Sequence, residues 1–142
     1  MLMSVRDTVT MLVKKHKTRN PFEIIKGMNV IVLFVPLVDV RGFYQYFQRN
    51  NIIYINENLS ESEKIFVCAH ELGHMLMHKK ANCLYMDTHT NFNTNKYELE
   101  ANKFAMELLL PDAELHQYPD LTLDQLSRMF GYRKSLLELR LK

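Results

Sequence analysis

The sequence predicts an α+β domain, mainly helical, in which a three-stranded antiparallel sheet packs against a helix that carries His70 and His74. Three observations predict this class. Helical spacing or helix caps occupy the first twenty or so residues, the stretch from Ser60 to His78, and most of the chain after Asn95. Between the first two of these regions the pattern changes to β-branched and aromatic runs over 29–55. Pro21, Gly27, Pro111 and Gly131 stand at the boundaries between segments, where breakers are expected.

Each element has its own signal. Val5, Val9, Leu12 and Val13 share one helical face over Val5 to Lys17, and Arg19-Asn20-Pro21 ends that helix. A short helix over Pro21 to Lys26 starts with Asn20 as cap and stops at Gly27. Asn29 to Val38, Gly42 to Gln48 and Ile52 to Ile55 read as strands, the last two joined as a hairpin by Asn50-Asn51, because asparagine tolerates positive φ. Ser60 or Ser62 caps a helix that runs to about His78. Lys79 to Asn95 is polar and without period, and is expected to be a long loop, a natural lid over a site. Ala, Leu, Met and Glu then dominate from about Asn95 to Leu110, a helix that Pro111 terminates. The tail, Leu121 to Leu141, reads as two short helices around Gly131, a pair within the same single domain of residues 1–142.

Composition narrows the function classes. A chain of 142 residues can bury about two thirds of its unfolded surface and hold a core without staples. Its longest apolar stretch, Val30 to Val38, contains Pro36 and falls well short of the ~18 apolar residues that span a bilayer. Arg6 and Asp7 follow Met1 to Met3 before any signal-peptide core develops, so the expected location is cytoplasmic. Cys68 and Cys83 are expected to be free thiols. The net charge of +2 does not ask for a nucleic-acid partner. The cations of Lys14 to Arg19 suit the solvated end of a helix. The tail, with Arg128, Arg133, Lys134, Arg140 and Lys142, superficially matches a helix-turn-helix, but two amphipathic helices closing a small core are the commoner case. Direct nucleic-acid binding is therefore not expected, and neither is membrane binding.

The chemistry is concentrated in His70-Glu71-Leu72-Gly73-His74. One helical turn sets residues four apart on one face, about 6 Å apart along the axis, so both imidazoles can reach one tetrahedral Zn2+ at ~2.0–2.1 Å. Glu71 sits one step round, where its carboxylate can take a proton from water without occupying a coordination position. His78 continues the four-residue series but stands about 12 Å from His70 along the axis, too far to share the ion. It is left to support the ligands or line the cleft, or simply to end the helix.

A catalytic zinc needs a third protein ligand. The helix with Tyr97, Glu98, Glu100, Ala101 and Asn102 supplies two carboxylates about 200° apart, so only one can point at the ion. Both flank the apolar face made by Tyr97, Ala101, Phe104, Ala105 and Leu108, which does not separate them. Ala101 would let two helices approach closely, a modest argument for Glu100; Asp87 and His89 are chemically acceptable alternatives. Tyr85, His78, His89 and Tyr97 are candidate donors to a developing oxyanion, and the strand Ile52 to Ile55 is a candidate edge for an extended substrate.

Over nearly its whole length the sequence resembles the ImmA/IrrE metallopeptidases. The resemblance rests on Thr18-Arg19-Asn20-Pro21, Gly42-Phe43-Tyr44, Ile52-Ile53-Tyr54-Ile55-Asn56, Ala69 to His74 with His78, Glu98 to Ala105, and Leu108-Leu109-Leu110-Pro111. It implies a small zincin-like domain that uses Zn2+, with His70, His74 and Glu100 as metal ligands and Glu71 as the catalytic base. It also implies a role in a bacterium, prophage or mobile element: cleaving or otherwise inactivating a helix-turn-helix repressor. The competing reading is a metal-containing binding module, an anti-repressor that grips its partner without proteolysis.

Overall fold

The computed structural model describes residues 3–78 and 92–142, the side chains of 92–95 excepted. Helix α1, Val5–His16, starts where the Ser4 side chain accepts from Asp7 N–H and ends as Lys17 turns into the left-handed region at φ 59°. Helix α2, Pro21–Gly27, begins with proline at its first position and Asn20 Oδ1 accepting from Phe22 N–H. Between them, Arg19 does not join the solvated lysines before it. Its Nη1 donates to the carbonyls of Glu107 and Leu108, satisfying the end of a helix far along the chain.

Three strands follow: β1, Ile31–Val35; β2, Gly42–Phe47; and β3, Asn50–Asn56. Their order is β1-β3-β2, with β2 antiparallel and β1 parallel to β3. The sheet is mixed, which corrects the expectation of three antiparallel strands. The cause is the connection 36–41, which the last residue of β3 holds across the sheet's end. Asn56 Nδ2 donates to Leu37 O and Val40 O, and Asn56 N–H to Arg41 O, so the hairpin returns β3 between its two predecessors. The hairpin turn also falls two residues earlier than expected. Gln48 and Arg49 take the positive φ values, 49° and 67°, while Asn50 pairs with Phe47 inside the ladder and its amide donates to Gln48 O.

Helix α3, Glu61–Met77, opens on a reciprocal cap. The Ser60 hydroxyl accepts from Glu63 N–H, and the Glu63 carboxylate accepts from Ser60 N–H. Most of the expected loop, 79–91, lies outside the described residues, and helix α4, Phe92–Leu109, starts three residues before Asn95. A short α5, Asp112–Leu115, was not signalled by periodicity. Helices α6, Leu123–Phe130, and α7, Lys134–Leu141, flank Gly131, whose φ of 81° closes α6.

Tyr44, Ile53 and Ile55 on the inner face of the sheet meet Val9 and Leu12 of α1, Ile24 and Ile25 of α2, Val67, Cys68 and Leu72 of α3, and Phe104, Ala105 and Leu108 of α4. A Cβ on Gly42 would lie 2.5 Å from Tyr54 O and 2.6 Å from Val67 Cγ1, so glycine lets the start of β2 close on α3. A second cluster joins Met106 and Leu110 of α4 to Leu126, Leu136 and Leu137 of the tail. The tail pair thus closes a core, with Arg140 buried and bonded to Leu110 O. No helix among the described residues is long and apolar enough to cross a membrane.

Candidate metal centre

The site is built where α3 and α4 cross. On α3, one turn brings His70 Nε2 and His74 Nε2 to 3.2 Å from each other. From α4, Glu98 reaches both rings, with Oε1 at 3.0 Å from His70 Nε2 and Oε2 at 2.7 Å from His74 Nε2. Among the described residues these three form a cluster whose ligand atoms lie within 4.8 Å of one another. Ligands bonded at ~2.0–2.1 Å in a tetrahedron are separated by about 3.3 Å, so the imidazole pair already has the spacing that Zn2+ asks for. Two imidazole nitrogens and one carboxylate are also a donor set that suits a catalytic zinc with a fourth position open. The residues present fit the ion.

Two glycine and alanine positions make the approach possible. A Cβ at Gly73 would stand 3.0 Å from Phe104 Cδ1, so the bare backbone here lets the third helix lie against that ring without displacing it. Ala101 is fully buried in the same layer. Close packing was the reason to favour Glu100, and the close packing is real, but Glu98 is the carboxylate it delivers. Relative to Ala101, Glu98 stands about 60° to one side and Glu100 about 100° to the other. In the structure Glu98, rather than the Glu100 of the expected grouping with His70 and His74, lies against the two imidazoles. Glu100 Oε1 instead lies 2.9 Å from His78 Nε2.

The far nitrogens of both imidazoles are engaged. His70 Nδ1 is 2.8 Å from Asn102 Oδ1, and His74 Nδ1 is 2.9 Å from His78 Nδ1. Glu71 is buried beside the rings, its Oε2 4.0 Å from His70 Nε2.

Burial raises the Glu71 carboxyl above the ordinary range, against the opposing charges of His70 and His74, which makes it a stronger base. Burial also opposes ionisation of Glu98, yet the hydrogen bonds from His70 and His74 prevail and hold it well below the usual carboxylate range. For His70, burial works against the charged ring, but the Glu98 bond and the charges of Glu71 and Glu98 outweigh it and push the imidazole up. Burial pushes His78 down in spite of Glu100. These are the tendencies of the side chains alone; a bound cation would reinforce the ionised Glu98 carboxylate and oppose the upward push on His70, favouring its neutral ring.

Over residues 25–142 the sequence matches the peptidase family of the IrrE N-terminal-like domain. The chain belongs to that family. It is 44% identical over 139 residues to "Uncharacterized immunity region protein 2" of Bacillus phage phi105, covering 96% of this chain and 88% of that protein. It is 33% identical over 115 residues to "Metallopeptidase ImmA" of Bacillus subtilis (strain 168), covering 80% of this chain and 67% of that protein. A peptidase family and a relative named as a metallopeptidase agree with a site whose donors suit a metal ion.

In this family member the centre opens into a cleft of about 370 Å3, lined by Asp39 to Gly42, Phe66, Val67, Asn102 and Arg133 besides His70, Glu71 and Glu98. Sequence reasoning missed Asn102, Arg133 and the 39–42 wall. Asn102 was findable, since it follows Glu98 by four residues and so shares its stripe. Arg133 carried no local signal, because a fold contact brings it there. Tyr85, Asp87 and His89 lie outside the described residues. His78 has both ring nitrogens engaged by His74 and Glu100, and the Tyr97 ring rests on it at 4.4 Å. β3 is paired on both sides, so it offers no edge to a substrate; the strand that begins at the cleft is β2.

Proposed function

We propose that this chain is a zinc-dependent endopeptidase, with His70, His74 and Glu98 as ligands and Glu71 as general base, acting on a helix-turn-helix repressor in the cytoplasm of a phage-bearing bacterium. The observation that carries it is the convergence of two Nε2 atoms and one carboxylate within 4.8 Å, with a second buried carboxylate alongside. Zn2+ held there supplies the Lewis acidity that polarises a carbonyl and makes water nucleophilic near neutral pH. The chain's own residues do the rest. Glu71 takes a proton from water and returns it to the leaving amine, a role that its raised basicity favours. Asn102 keeps the His70 ring in plane from behind. Asp39 to Gly42 and Arg133 wall the cleft on which an extended peptide would lie, with the guanidinium placed to meet a peptide carbonyl or an acidic side chain.

The repressor substrate is supported by the immunity-region name of the phage relative and by the family resemblance. The test is incubation of the zinc-loaded chain with helix-turn-helix repressors from the same genome. Proteolysis predicts discrete fragments that disappear on chelation and with Glu71→Gln. A stable complex without fragments would make the chain a binding module instead.

A further inference from the structure

We propose that His78 and Glu100 form a hydrogen-bonded relay behind His74 that fixes its tautomer and aims its Nε2 at the cation; both are positioning residues. The proposal rests on the reading of His70, His74 and Glu98 as the metal ligands. Its basis is a chain of two short contacts, His74 Nδ1 to His78 Nδ1 at 2.9 Å and His78 Nε2 to Glu100 Oε1 at 2.9 Å.

Two ring nitrogens that face each other can bond only if one carries a proton and the other a lone pair. If His74 offers its Nε2 lone pair to a metal, its proton sits on Nδ1, so His74 donates and His78 Nδ1 accepts. The proton of His78 is then on Nε2, where the Glu100 carboxylate accepts it. The opposite direction would put the His78 proton on Nδ1 and the His74 proton on Nε2, aimed at the ligand position. A carboxylate has no proton to give, so Glu100 favours the metal-competent arrangement, against the pull of Glu98 on a proton at His74 Nε2, a pull that a cation bound by Glu98 would remove. Its negative charge also strengthens each donor in turn. His78 is buried and packed on the Tyr97 ring, so its plane is held. The series His70, His74, His78 thereby has a physical sense: two residues bind and the third orients.

The test uses the full chain, Zn2+ as the probe, and a chromophoric chelator as competitor, with His78→Phe, His78→Gln and Glu100→Gln. Phenylalanine fills the space but neither accepts nor donates; the glutamine amide can do both. His78→Phe is expected to weaken Zn2+ binding by ~10–100-fold, with His78→Gln recovering most of that loss and Glu100→Gln lying between wild type and His78→Phe. In 15N spectra of the zinc-loaded wild type, His78 should be protonated at Nε2 and bare at Nδ1. A residue that only fills space would give the reverse order, Phe better than Gln. That order, or a His78 protonated at Nδ1, or equal affinities while one Zn2+ still binds, overturns the relay alone. Failure of the wild type to bind Zn2+ overturns the metal-site reading and the relay with it.

Discussion

Glu98 and Glu100 stand two residues apart and meet different partners, and Glu71 Oε2 stands 4.0 Å from His70 Nε2. The first spans two imidazoles, the second supports a third, and Glu71 lies buried next to them. His70, Glu71 and His74 were legible because a pentapeptide on a helix fixes their relative placement by itself. The third carboxylate was not, because Glu98 and Glu100 flank the apolar face alike and only the partner helix distinguishes them. Glu71 gives the sharpest prediction at this scale. Glu71→Gln keeps the size and removes the base, so peptide hydrolysis should fall by ~10²–10⁴-fold while bound zinc is unchanged. Cleavage assays with metal analysis check both halves, and wild-type turnover in the variant would remove the general base from the mechanism.

At the scale of elements, the site depends on how closely α4 lies against α3. Phe104, fully buried, occupies the space that a side chain at Gly73 would take. Gly73→Val should therefore force the Phe104 ring and α4 outward. Overpacking of this kind costs ~1–3 kcal/mol, offset by a few tenths from replacing a helical glycine. Urea unfolding measures the loss, and zinc affinity should fall with it as Glu98 withdraws; a variant of wild-type stability and affinity would show that the contact does not set the helix spacing. Helices with local caps, such as Ser60 with Glu63 and Asn20 before Pro21, could be read from the sequence because their signals lie within four residues. Sheet order could not, since it is decided by Asn56 holding a connection sixteen and nineteen residues away. The hairpin shows the same limit in miniature. Asn50 and Asn51 have the right chemistry for the turn, but pairing of Phe47 with Asn50 assigns the positive φ to Gln48 and Arg49.

Over the whole molecule, the chain's first helix, the end of α4, α5 and the last helix are tied by one charged cluster. Arg140 Nη2 donates to Asp112 Oδ1 at 2.6 Å, Arg6 Nη2 bonds the same carboxylate at 2.8 Å, and Arg140 Nη1 lies 3.4 Å from buried Glu107. The Arg140 bond, followed by the charges of Arg140 and Arg6, holds the Asp112 carboxyl below the usual aspartate range. A depressed folded value means that this stabilisation is complete above the unfolded pKa of ~3.9 and is lost as pH falls through the folded value. Asp112 is half-exposed, so solvent screening keeps the effect modest. Unfolding curves for Asp112→Asn should show lower stability near neutrality and a flatter decline in acid; an acid limb identical to wild type would deny the cluster its role. None of this was visible in sequence, where Arg140 read only as one of several basic residues in the tail. The metal itself distinguishes the two glutamates. After dialysis against a weak chelator, zinc per chain should stay near one in wild type and in Glu100→Ala, although more weakly held in the latter, and should vanish in Glu98→Ala. Retention by Glu98→Ala with loss in Glu100→Ala would contradict the site described above.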